Sequence, residues 1–283
     1  MKKIRLIELF SGIGSQAAAL TRLGYEFEHY KTSEWEINAV ASYRAIHIGF
    51  NDIDYSEHLT NVELTDTLFN IGISTDGKKP LTKEQIKRKN EKWKRSVFNN
   101  FKATNNIGSI VNCKGADLEV IDTDNYTYLL TYSFPCQDLS LAGKGGGMTK
   151  GSGTRSGMLW EVERLLDEMD ELPQILLMEN VTQVHSKKHI ADFEKWIEFL
   201  ESKGYTNFWD DLNAKNYGVA QNRNRTFMVS FLDRNKFKFP EPIELTKTMK
   251  DYLDDEVDEN YYIKNDKAQT LIERLVKNGD LPD

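Results

Sequence analysis

Four short apolar or β-rich runs, Ile4–Phe10, Tyr126–Phe134, Gln174–Met178 and Thr226–Leu232, are each bounded by turn residues and separated by stretches of helical periodicity. Runs this short and this apolar read as strands buried on both faces. A further strand is predicted over Glu26–Lys31, and helices over Gln16–Leu23, Gly157–Met169 and Lys187–Lys203. In the last of these Ile190, Phe193, Trp196, Ile197 and Leu200 share one face. Strands alternating with helices imply βαβ units, hence an α/β fold with a mostly parallel sheet and helices on both faces. Ligands of such sheets sit beyond the carboxyl ends of the strands, so the residues that follow each strand carry the functional information.

The first strand runs into Phe10-Ser11-Gly12-Ile13-Gly14 and then a helix. Glycines at 12 and 14 allow close backbone approach and leave helix N–H groups open to polar oxygens, although strand–helix turns also use glycines for packing alone. After the second strand stand Glu34 and Trp35. An acid there can take the two hydroxyls of a ribose and an adjacent indole can stack on a purine; a helix N-cap with an early glutamate is the alternative. The third run ends in Pro135-Cys136-Gln137-Asp138. Cys113 reads as a small apolar core residue, whereas Cys136 stands where ligands bind. From Gly143 to Gly157 there are seven glycines in fifteen residues with Lys144, Lys150 and Arg155, a solvent loop or a mobile flap over an anionic substrate. The fourth run leads to Glu179-Asn180-Val181, where Glu179 is either a cleft acid or a turn cap. Gln221-Asn-Arg223-Asn-Arg225 enters the last run, and two arginines two apart in an extended segment point to one side, where they either clamp a carboxylate or phosphate or are surface arginines with no partner.

Composition sets outer limits. With 39% hydrophobic and 29% charged residues over 283 positions the chain is globular, and no apolar stretch approaches a membrane span. Two cysteines supply neither a disulfide framework nor zinc-ligand spacing, which points to the reducing cytoplasm. A net charge of −7 argues against nucleic acid as a partner, but the average conceals a contrast. Lys78–Lys102 has ten Lys/Arg against Glu84 and Glu91, a local +8 that leaves −15 elsewhere. With Trp93, Phe98 and Phe101 interleaved, this stretch either follows a phosphate backbone or is a solvated helix with an apolar stripe.

Phe10-Ser-Gly-Ile-Gly14, Pro135-Cys136-Gln137, Glu179-Asn180-Val181 and Gln221-x-Arg223-x-Arg225 together resemble the DNA cytosine-5 methyltransferase family, in order and in spacing, with a likeness to its bacterial and phage members. The resemblance implies a Rossmann-like S-adenosylmethionine-dependent fold acting on double-stranded DNA, in restriction-modification or phage self-protection. It implies Cys136 as the nucleophile at cytosine C6, Glu179 as a protonated acid at ring N3, Asn180 as a loop-positioning residue, and Arg225 at the pyrimidine carbonyl supported by Gln221 and Arg223. For the donor it implies Phe10, Ser11, Gly12 and Gly14 at the methionine end, Glu34 at the ribose, Trp35 at the adenine, Asp117 with Leu118 at the adenine amino group, and Pro135 and Leu159 as further contacts. The expected organisation is a catalytic domain over 1–240, with a basic insertion at about 51–112 and a mobile loop at 137–157, then an acidic connector over 241–283 that holds one short helix at Gln269–Lys277. Lys87, Arg88, Lys92 and Lys94 are expected at phosphates, as are Lys144, Lys150 and Arg155.

In that family a target-recognition domain and two further motifs follow the arginine motif, and no candidate for them precedes Asp283. A truncated reading frame, a split enzyme completed by a second chain, and a degenerate copy acting as a donor- or DNA-binding module are the resulting expectations. A tRNA-directed relative is a further alternative.

Overall fold

Six strands form one sheet in the order β2-β1-β3-β4-β6-β5 in the computed structural model, which describes residues 2–139, 146–262 and 264–279. Ser140, Gly143, Lys144, Ile263 and Asp283 lie outside the described residues. The strands are β1 (Lys3–Leu9), β2 (Phe27–Ser33), β3 (Tyr126–Tyr132), β4 (Ile175–Asn180), β5 (Thr206–Asn213) and β6 (Asn224–Phe231). The first four run parallel, whereas β6 lies antiparallel to both β4 and β5. The sheet is therefore mostly parallel, with a reversed strand inside one edge.

Period-two alternation on β1 sends neighbouring side chains to opposite faces. Leu6 packs with Ala17 and Tyr43 of α1 (Ser15–Arg22) and α2 (Ile37–Tyr43). Ile7 and Leu9 join Tyr128, Leu130 and Tyr132 in the main core, with α6 (Leu159–Glu168) and α7 (Ile190–Ser202). Phe193, Trp196 and Leu200, on the predicted apolar face of α7, are fully buried, each contributing roughly 1.5–3 kcal/mol through the apolar area removed from water. Helices thus cover both faces.

Between α2 and β3, helices α3 (Asn61–Asn70), α4 (Lys83–Lys87) and α5 (Glu91–Ala103) build a smaller core from Leu64, Leu68, Ile86, Val97, Phe98 and Phe101. Capping boxes at Thr60/Glu63 and Thr82/Gln85 start α3 and α4. This arrangement corrects one expectation about the basic stretch. Lys94 shares a helical face with Val97, Phe98 and Phe101 and is 1% exposed, so it faces no phosphate. Its ammonium donates to Asn61 Oδ1 at 2.8 Å and Thr65 Oγ1 at 2.9 Å. Lys87, Arg88, Lys89 and Lys92 remain exposed. Arg95 braces the preceding loop instead, donating to the carbonyls of Ser56 and Leu59.

The chain divides into two compact units: Met1–Asn213 with Asn224–Glu241, and Ala214–Arg223 with Pro242–Asp283. The second unit contains a β-bridge between Tyr217 and Ile243 and α8 (Asp266–Lys277). Among the described residues no helix is long and apolar enough to cross a membrane.

Candidate active site

The end of β1 is strained. Phe10, a non-glycine residue, has φ 56°, followed by Gly12 at 53° and Gly14 at 82°, all in the left-handed region. The Gly12 N–H donates to Glu34 Oε2 at 3.0 Å, tying the β1 turn to the end of β2. The other Glu34 oxygen accepts from the N–H groups of Trp35 (2.8 Å) and Glu36 (2.9 Å). Burial pushes the Glu34 carboxyl above the usual range, while these three bonds pull it down. The capping role belongs to Glu36, which accepts from Asn38 and Ala39 at the start of α2. Glu34 is thus no helix cap.

A cavity of about 410 Å³ opens at these strand ends, within the range of small-molecule sites. The β1 and β2 ends supply Phe10, Ser33, Glu34 and Trp35, and the end of β3 supplies Ser133, Pro135 and Gln137. Two contributions went unseen in the sequence. The loop Gly108–Val111 forms one wall, fixed by the Ser33 hydroxyl donating to the Gly108 carbonyl at 2.8 Å. Gly77 and Lys78 of the insertion form another, anchored where Ser74 N–H donates to the Trp35 carbonyl at 2.7 Å. The only advance signal was the pair of glycines at 77 and 108, both with positive φ.

Ser11, Gly12, Gly14, Asp117, Leu118 and Leu159 do not line this cavity. Leu118 and Leu159 are fully buried in the main core. Asp117 is exposed on the 3-10 turn Gly115–Leu118, where its carboxylate accepts the Lys114 N–H at 2.8 Å. The Gly108–Val111 loop reaches the cavity because the chain enters the sheet edge beside β2 at Asn106.

Cys136 is partly exposed just beyond β3, while Cys113 is buried, its thiol pushed up to about 12 by desolvation. Asn180, 2% exposed at the end of β4, donates through Nδ2 to the Phe134 carbonyl at 3.0 Å, and its Oδ1 accepts the Val181 N–H. It therefore joins the segment before Cys136 to the segment after Glu179. The Glu179 carboxylate meets Arg225 Nε at 3.2 Å, a pairing between two motifs 46 residues apart in sequence.

Arg223 lies in the turn before β6, where its N–H donates to the Gln221 carbonyl and its carbonyl accepts from Ala214 N–H. It is not part of the extended strand, so the two-residue alternation argued for Arg223 and Arg225 does not apply. In the Gly-rich segment, Gly153, Thr154 and Arg155 line the cavity, as does Met158 just beyond it. Lys150, expected at a phosphate, pairs here with Glu163 at 2.8 Å. Asp138 ties the described part of this segment down, accepting from Arg155 and Ser156 N–H through its carboxylate and from Gly147 N–H through its carbonyl.

Comparison with known proteins agrees with this architecture. The chain is 38% identical to the type II methyltransferase M2.ScrFI of Lactococcus lactis subsp. cremoris over 94% of its own length and 71% of that protein. It is 39% identical to the orphan methyltransferase M.SssI of Spiroplasma monobiae over 93% of its length and 68% of that protein. In fold it resembles the Dnmt2 methyltransferase of S. pombe (TM-score 0.54, 18% identity, 96% of this chain and 66% of that one). It also resembles the Entamoeba histolytica methyltransferase EhMeth (TM-score 0.55, 16% identity, 100% and 68%). The profile of the C-5 cytosine-specific DNA methylases matches residues 4–69 and 68–280, and with relatives this similar over nearly its whole length the chain belongs to that family.

Proposed function

We propose that this chain methylates carbon-5 of a cytosine flipped out of double-stranded DNA, with S-adenosylmethionine as donor and Cys136 as covalent nucleophile. The arrangement of Cys136, Asn180, Glu179 and Arg225 at adjacent strand ends is the observation that carries this reading. The first compact unit is the proposed catalytic domain.

The cavity beside these residues fits a nucleoside-containing donor: the half-buried carboxylate of Glu34, the indole of Trp35 and Phe10 at the start of the glycine turn line it together. When bound, the donor supplies an electrophilic methyl group on a sulfonium. Glu34 holds ribose hydroxyls, and Trp35, with the Gly108–Val111 loop, borders the base. The C5 of cytosine is too weak a nucleophile to react unaided. The Cys136 thiolate adds to C6, forming an S–C bond and moving the C5=C6 electron pair toward C5. Glu179 meets ring N3 and Arg225 the 2-carbonyl, where charge develops. The C5 pair would take the methyl group as the donor's sulfur–methyl bond breaks and the demethylated donor is released; water then takes the C5 proton, whose electron pair restores C5=C6 as the S–C6 bond breaks and the thiolate departs. A target base reaches Cys136 only outside the stack. The exposed Lys87, Arg88 and Lys92, with Arg155 at the cavity, follow DNA phosphates. The proposed biological role is protection of DNA in restriction-modification or in a phage.

The test is trapping on DNA containing 5-fluorocytosine, whose C5 fluorine cannot leave as a proton does. The chain is assayed alone and mixed with the C-terminal part of one of its longer relatives. An adduct that depends on donor and disappears in Cys136→Ser supports the reading. Absence of an adduct from both mixtures, or an adduct that survives Cys136→Ser, overturns it.

A further inference from the structure

Beneath the β1 turn lie four side chains that the proposed chemistry does not use. Glu8 is 1% exposed; its carboxylate accepts the Tyr43 hydroxyl at 2.6 Å and the Ala17 N–H of α1 at 3.3 Å. Tyr43, also 1% exposed, has one hydroxyl proton. When it gives that proton to Glu8, the 2.9 Å contact with His29 Nδ1 requires the imidazole to donate. His47 Nε2 lies 2.9 Å from the Ile13 carbonyl, which can only accept, so Nε2 carries the proton. The three rings pack together, with the Tyr43 and His47 centroids 4.6 Å apart.

This group shapes the backbone above it. A Cβ on Gly14 would collide with the Tyr43 ring and the His47 imidazole, so both rings press directly on the turn. His47 reaches Ile13 because α2 is prolonged by a π-helical turn, Arg44–Ile48. Such turns are rare and cluster at functional positions. A segment with three left-handed residues within five keeps that conformation only where its surroundings over-determine it. The same segment passes its geometry to Glu34 through the Gly12 N–H.

We propose that Tyr43 and His47, with Glu8 behind them, are positioning residues for donor binding: they fix the Gly12–Gly14 backbone and, through Gly12, the Glu34 carboxylate. The proposal rests on the reading of this turn as part of the donor site. Neither side chain lines the cavity, so their effect is exerted through the backbone.

Calorimetric titration of S-adenosylhomocysteine into the full chain tests it, with thermal unfolding recorded alongside. His47→Ala removes one hydrogen bond and Tyr43→Phe removes two, and each is expected to weaken binding by about five- to tenfold. His47→Gln keeps an N–H within reach of the Ile13 carbonyl and is expected to recover most of the affinity. Wild-type affinity in both His47→Ala and Tyr43→Phe overturns the proposal. So does a His47→Gln variant as weak as His47→Ala, which would leave only bulk packing. A wild-type chain that takes no S-adenosylhomocysteine overturns the donor reading and this proposal together, whereas normal wild-type binding with unaffected variants overturns this proposal alone.

Discussion

The Glu179 carboxylate and the Arg225 guanidinium face each other at 3.2 Å across two antiparallel strands, β4 and β6. Reversal of β6 makes this possible, because it starts where β4 ends and so brings an arginine to the same edge as the acid. If the pair acts on one ring, removing either member costs transition-state stabilisation and removing both costs little more. Glu179→Gln and Arg225→Ala are each expected to lower methyl transfer to DNA by about 100-fold or more. The double variant is expected to be far less than multiplicatively impaired. Initial rates with labelled donor measure both quantities.

The basic insertion separates charge that serves the surface from charge that serves the core. Replacing the exposed Lys87, Arg88 and Lys92 with Gln is expected to weaken DNA binding to a similar degree for all sequences. The slope of log affinity against log salt should become shallower by about 2–3, with no change in urea stability. Lys94→Met should do the reverse. It leaves the Thr65 hydroxyl and Asn61 amide without their ammonium partner and is expected to cost on the order of 2–4 kcal/mol in urea unfolding, with the salt slope unchanged.

Asp138, two residues beyond Cys136, holds both the Gly147 and the Arg155–Ser156 ends of the glycine-rich segment. Asp138→Ala removes the carboxylate bonds and keeps the main-chain one. Amide exchange at Arg155 and Ser156 is expected to quicken by about tenfold while exchange in β3 stays unchanged. Hydrogen-exchange mass spectrometry reads both.

Glu8 imposes a pH dependence on folding. Burial raises its carboxyl to about 7, against 4.5 in an unfolded chain. Between these values the folded state binds the extra proton, so its contribution is complete below about pH 4.5 and is lost as pH rises through 7. Burial, with the charge of His47, lowers His29 to about 4 from 6.5, and its contribution has the opposite sign, growing as pH rises from 4 to 6.5. The stability of wild type minus that of Glu8→Gln is therefore expected to fall by on the order of 2–3 kcal/mol between pH 4.5 and 7. Wild type alone should show a shallower profile because His29 offsets part of it. Urea unfolding at several pH values provides the comparison.

Local pattern exposed β1, β3 and β4 because their runs are rich in apolar residues and end in abrupt turns. Strand β5 was invisible for the opposite reason: Thr206–Asn213 is an edge strand whose Asp210 and Asp211 interrupt any apolar alternation. The strand ends at Phe10 and Glu34 could be read as cavity positions because the fold class itself dictates where ligands bind. Asp117 lies outside the cavity lining, because which loop crosses the sheet edge depends on how Asn106 pairs beside β2 and not on sequence distance. Lys94 misled because a run of positive charge has no face until its helix is packed. Lys78 was legible as part of a basic stretch but not as a cavity residue, since only the tertiary bond between Ser74 and Trp35 brings it there.

That bond has an evolutionary consequence. An insertion that merely decorated the surface could be shortened freely among descendants of this chain. Here, trimming back to a minimal sheet would unroof the cavity at Gly77 and Lys78 and release the carbonyl of Trp35. Deletions in this segment should therefore accumulate only alongside compensating change at Trp35, making its length a heritable correlate of how the cavity is closed rather than a neutral ornament.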